Sequence, residues 1–200
     1  MTLITRISPL FLLGLTACSD VEKDDHHDGH DHDHEAISKV ILDLVSQTDD
    51  TEQTVSYSDP QHDDGGADGS IELESGTTYD LSITVLNDEE TPVEDITLEI
   101  LDEEDEHQVF FTGSVIDDGF VTFTYQDEDS KGLPLGLEST LTGESAGSGD
   151  LTITLQHMAK QDGNDVKRAG MADDVAEQGL AGIAGEGAPD FTIAFDLVVK

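Results

Sequence analysis

Thr78-Tyr79-Asp80-Leu81-Ser82-Ile83-Thr84-Val85-Leu86 alternates apolar and polar side chains at a period of two. In an extended chain that period sends Tyr79, Leu81, Ile83 and Val85 to one face and Asp80, Ser82 and Thr84 to the other, the signature of a half-buried strand. The same rhythm recurs on both sides. Val40, Leu42 and Leu44 alternate with Ile41, Asp43 and Val45; Val55 and Tyr57 sit in a Thr/Ser-rich run that closes in the turn-rich stretch 58–69. Further along, Val121, Phe123 and Tyr125 repeat it, then Leu151, Ile153, Leu155 and His157, then Phe191, Ile193, Phe195, Leu197 and Val199. Alternation with one polar face predicts a mainly β protein: a single antiparallel β-sandwich, immunoglobulin-like, over residues 37–200, with six to eight strands.

Three segments depart from that rhythm. Thr91-Pro92-Val93-Glu94 has the form of a helix start, with Thr91 as N-cap, Pro92 at the first helical position and Glu94 able to reach back to the cap. A short helix from there towards Gln108 gathers Val93, Ile96, Ile100, Glu103 and His107 on one face. A strand with Ile96, Leu98 and Ile100 inward fits the same residues, and the acidic run 102–106 favours the helix because Asp and Glu are depleted in strands. Residues 160–189 are rich in Gly and Ala and read as a mobile connection or flap, with a short helix near 172–180. Gly143-Glu144-Ser145-Ala146-Gly147 matches the G-x-S-x-G serine-hydrolase elbow, but no strand–turn–helix context surrounds it. It reads as a flexible hairpin loop.

The N-terminus points to a compartment. Residues 1–17 carry one positive charge, Arg6, and an apolar stretch from Leu10 to Leu15, which is too short for a permanent span and reads as a secretory signal. It ends in Leu15-Thr16-Ala17-Cys18, and Cys18 is the chain's one cysteine. An exported chain with a single thiol has no intramolecular disulfide partner for it. Residues 15–18 resemble the lipobox of bacterial lipoproteins, a resemblance that implies lipid on Cys18, which would hold the protein on a membrane without a spanning helix. Behind it, residues 18–36 lack apolar periodicity and read as a disordered, lipidated arm.

Five of the chain's eight histidines lie in that arm: His26, His27, His30, His32 and His34, threaded among Asp28, Asp31 and Asp33. Extended, His30, His32 and His34 share one face. Neutral imidazole binds zinc and its neighbours in the transition series, and carboxylates complete a nitrogen/oxygen ligand set. A plain hydrophilic spacer needs charge but has no use for imidazole. Ordering an unstructured arm opposes binding, so the expected site exchanges its ion. Two further histidines, His107 and His157, each stand in register with apolar neighbours. With Glu103 they form a candidate metal site inside the fold.

With 46 Asp and Glu against 8 Lys and Arg, the formal charge is −38. Phosphate contacts need clustered cations, so nucleic acid is excluded as a partner. Self-repulsion on this scale is relieved in a saline or divalent-rich medium. The carboxylate-rich loops 59–68 and 127–130 make calcium a second conceivable ion, although neither has the EF-hand pattern. No nucleophile, acid/base pair or phosphate loop stands out, so an enzyme is not expected.

Leu15-Thr16-Ala17-Cys18 resembles the lipobox of bacterial lipoproteins, and Ser19 after it resembles the pattern sent to the outer membrane. Together with the His/Asp arm, Asp105-Glu106-His107-Gln108-Val109-Phe110-Phe111 and the closing Leu155-Gln156-His157, the chain resembles a family of Gram-negative envelope lipoproteins. Some members carry the label of type 1 periplasmic-binding-fold proteins, a bilobal α/β architecture usually far longer than this; the strand pattern here speaks for the sandwich instead. The arm is also similar in composition to His/Asp-rich segments of periplasmic zinc-binding proteins. The resemblance implies a lipid-anchored envelope protein that buffers zinc or another divalent transition metal, or presents it to an outer-membrane transport receptor. The alternatives are a non-catalytic accessory or adhesion-type module with the arm as tether, and a solute-binding lipoprotein.

Overall fold

A computed structural model describes residues 36–200. The expectations for the signal segment, for Cys18 and for the arm's histidines and aspartates lie outside the described residues. Among the described residues, no helix is long and apolar enough to cross a membrane.

The alternating stretch 78–86 lies in β5 (Thr78–Asn87), an interior strand of the larger sheet. It pairs antiparallel with β1 (Lys39–Ser46) on one side and β9 (Glu138–Gly143) on the other. Outward from these lie β2 (Glu52–Ser58), β3 (Gly66–Asp68) and, at the far edge, β8 (Val121–Tyr125), while the two-residue β6 (Glu94–Asp95) adds to the end of β5. The smaller sheet runs β4 (Ile71–Leu73), β11 (Ala188–Val199), β10 (Gly147–His157), β7 (His107–Thr112). Its β4–β11 pair is parallel and the other pairs are antiparallel. The inner faces of both sheets close on one core, which joins Leu42, Leu81 and Ile83 to Ile153, Phe195 and Leu197. The rings of Tyr57 and Phe195 meet edge to face across it at 6.0 Å. This is the expected sandwich, built on the expected period-two faces.

Three expectations are corrected. The helix α1 spans only Ile96–Asp102, capped by the Asp95 side chain accepting from the Thr97 N–H, so Thr91 and Pro92 do not start it and Val93 is exposed. It cannot run on to Gln108 because the acidic run 102–106 would stack negative charge on the negative end of the helix dipole. The chain turns instead and enters β7, so His107 stands on a strand, and a one-turn helix, α2 (Ser114–Asp117), follows that strand. Every residue of β7 except Thr112 is buried, which is why no alternation betrayed it.

The second correction concerns residues 160–189. They form a packed outer layer rather than a loose connection: α3 (Met171–Gln178) and a 3₁₀ turn (Gly179–Ile183) place Met171, Val175 and Ile183 on Phe110 and Met158, on the outer side of the smaller sheet. Lys167 fastens that layer to the body through Asp129. Third, Gly143–Gly147 joins strands of different sheets and is not a hairpin. Glycine is needed at 147 because a Cβ would enter the Phe120 ring.

Charge is distributed with the same economy. All six Lys and Arg side chains of the described residues are ion-paired, and four of them, Lys131, Lys160, Lys167 and Arg168, lie on or against the outer layer.

Candidate metal centre

His107 opens β7 and His157 closes β10, and the antiparallel ladder sets them directly opposite each other. The period of two that sends Val109, Phe111, Ile153 and Leu155 into the core sends both imidazoles to the same inner face, at the end of the sandwich. Their rings stack with centroids 4.5 Å apart and planes 19° from parallel. His107 is 1 % exposed and His157 12 %.

Two carboxylates flank the pair. Glu103 follows the last turn of α1, where the turn to β7 is closed by the Glu106 N–H donating to the Glu103 carbonyl at 2.8 Å. The same carbonyl accepts from His107 Nδ1 at 3.2 Å. Among the described residues, the donor atoms of Glu103, His107 and His157 gather within 4.8 Å of one another. Asp190 approaches from β11, its Oδ2 3.5 Å from His107 Nε2 and its Oδ1 3.9 Å from His157 Nδ1. Gln61 spans from the domain's first residues to this point, accepting from the Ile37 N–H at 3.0 Å and donating to the Asp190 carbonyl at 3.3 Å.

The environment pushes the two imidazoles apart. Burial works against charge on His107, but Asp190, as hydrogen-bond partner and counter-charge, and then Glu103 together outweigh it and raise the pKa above its ordinary 6.5. His157 is lowered, first by its burial and then by the neighbouring charge of His107, against the pull of Asp190, Glu103 and Glu106. One ring thus tends to hold a proton while the other offers a lone pair.

The sequence named Glu103, His107 and His157, and the fold brings all three together. It does so by a turn and a strand pair, not along a helix face. Asp190 and Gln61 were missed. The one available signal was Pro189, since proline inside a sheet is confined to edges, strand starts and bulges. Of the two suggested calcium loops, 127–130 has its carboxylates engaged within the fold. Asp127 accepts from the Gly136 and Glu138 N–H groups, and Asp129 accepts from those of Lys131 and Leu133 while facing Lys167. Asp63, Asp64 and Asp68 are exposed turn and edge residues.

The chain matches no protein-family model, no curated protein and no solved structure.

Proposed function

We propose that this protein is a lipid-anchored envelope protein of a Gram-negative bacterium. In this reading it binds a divalent transition metal, zinc foremost, and buffers it or presents it to an outer-membrane transport partner. The observation that carries the proposal is the inward-facing His107/His157 pair flanked by carboxylates. Two imidazoles and carboxylate oxygen are the ligand chemistry of zinc sites that keep a position open for exchange. His107 already has the supporting contact such ligands use, its Nδ1–H held by a backbone carbonyl so that Nε2 is presented. An ion held there would take the place of the His107 proton. The arm, with its five histidines, supplies a second and looser set of donors.

The near-parallel stacking favours one rival reading, in which His107 and Asp190 are a structural ion pair in a non-catalytic accessory module. Competition titration of Zn²⁺ against a chromophoric chelator separates the two. The full-length chain is compared with a variant whose five arm histidines are glutamine, and with that variant carrying His107→Gln and His157→Gln as well. The proposal expects one tight equivalent that survives the arm substitutions and disappears with the pair. An affinity indifferent to the pair sinks the internal site, and no uptake by any form sinks the function.

A further inference from the structure

We infer that Asp190, rather than Glu103, is the carboxylate ligand of this centre, giving a His107 Nε2, His157 Nδ1, Asp190 set with one coordination position open. The inference rests on the metal-binding reading above and refines it.

Strand register shows how the chain aims this side chain. Leu155 pairs with Phe191, but Gln156 pairs with Pro189, so the ladder slips by one residue at Asp190. Phe191 faces the core. In an unbroken strand its neighbour would face the opposite side of the sheet, towards the outer layer. The bulge reverses that, and a carboxylate 5 % exposed lies against the two rings. Bulges re-aim side chains and are enriched beside functional sites. A buried carboxylate directed at two imidazoles is costly to desolvate and is kept where something cationic compensates it.

The distances agree. Ligand bonds of about 2.0–2.2 Å to a tetrahedral ion put neighbouring donor atoms roughly 3.3–3.5 Å apart. Asp190 Oδ2 is 3.5 Å from His107 Nε2, within that spacing, and its other oxygen, Oδ1, is 3.9 Å from His157 Nδ1, so a small movement of the carboxylate would be needed for one oxygen to serve both rings. Glu103 is an exposed residue, and its fixed contact to His107 is through its carbonyl. Its role is to orient the ring, with its carboxylate beside the open position.

The test uses the full-length chain with its five arm histidines changed to glutamine, titrated with Zn²⁺ by competition and with Co²⁺ by visible absorption. Asp190→Asn is expected to weaken Zn²⁺ binding by at least ~100-fold and to change the Co²⁺ spectrum. Glu103→Gln is expected to weaken it by less than ~10-fold, a smaller effect than that of removing a supporting contact around a metal. The reverse ranking overturns the assignment while leaving metal binding at the histidine pair intact. Absence of any uptake before the Asp190 and Glu103 substitutions overturns both. If Asp190→Asn does not fold, Asp190→Glu decides: a shifted Co²⁺ spectrum supports ligation, and an unchanged spectrum and affinity refute it.

Discussion

Replacing Lys167 by Met removes one half of an ion pair closed to water on both sides. Lys167 Nζ lies 2.9 Å from Asp129 Oδ2, with the two side chains 1 % and 0 % exposed. It also donates to the Glu104 carbonyl at 2.8 Å, beside the turn that carries Glu103. Burial pulls the lysine below its ordinary pKa, and Asp129 is the main group that opposes the shift. Removing one partner of such a pair costs about 3–5 kcal/mol, because the other charge is left buried and uncompensated. That is a large share of the roughly 5–15 kcal/mol that holds a domain folded. At about 2–4 °C per kcal/mol for a domain of this size, the melting temperature should fall by ~6–20 °C. The double variant Lys167→Met/Asp129→Asn should recover most of the loss, since an amide keeps an oxygen for the Lys131 and Leu133 N–H groups and carries no charge. Urea unfolding of metal-free protein at pH 7 measures both. A single-variant loss below ~1 kcal/mol, the range of an exposed pair, would refute the reasoning, and so would a double variant no better than the single.

Three further outcomes are expected. A Cβ at Gly187, whose φ is +92°, would strike the His157 carbonyl, so Gly187→Ala should lower both stability and zinc affinity; unchanged affinity in the folded variant would count against His157 as a ligand. Because the folded-state pKa of His107 is raised, its contribution to metal-free stability is complete below pH ~6.5 and is lost as pH rises through the folded value. The difference in unfolding free energy between wild type and His107→Gln should therefore shrink from pH 6 to pH 9, and a difference that grows would contradict the His107–Asp190 pairing. With a formal charge of −38, the melting temperature should climb as NaCl is raised from 10 mM to 1 M, where screening shortens from ~30 to ~3 Å; a flat response would show that self-repulsion does not limit stability.

The sandwich was legible because most of its strands have one apolar and one polar face. The alternation of residues 78–86, 151–157 and 191–199 is local, and burial of one face forces it into the sequence. β7 was hidden for the opposite reason: once α3 covers the outer side of the smaller sheet, Gln108 and Phe110 are as buried as Val109 and Phe111, and the period disappears. The short β3, β4 and β6 hold only two or three residues each, too few to show a period, and β4 takes its pairing from β11 at the far end of the chain.

The sequence by itself determined which chemistry is available: imidazoles in an acidic chain, two of them beside apolar positions, and a strand period that turns His157 inward. Tertiary structure alone decided which groups meet. Strand register set His107 opposite His157, a turn carried Glu103 to them, and a slipped ladder turned Asp190 towards the rings. Side-chain direction along a strand follows from backbone geometry one residue at a time, whereas register and bulges are fixed by the partner strand, here more than thirty residues away along the chain.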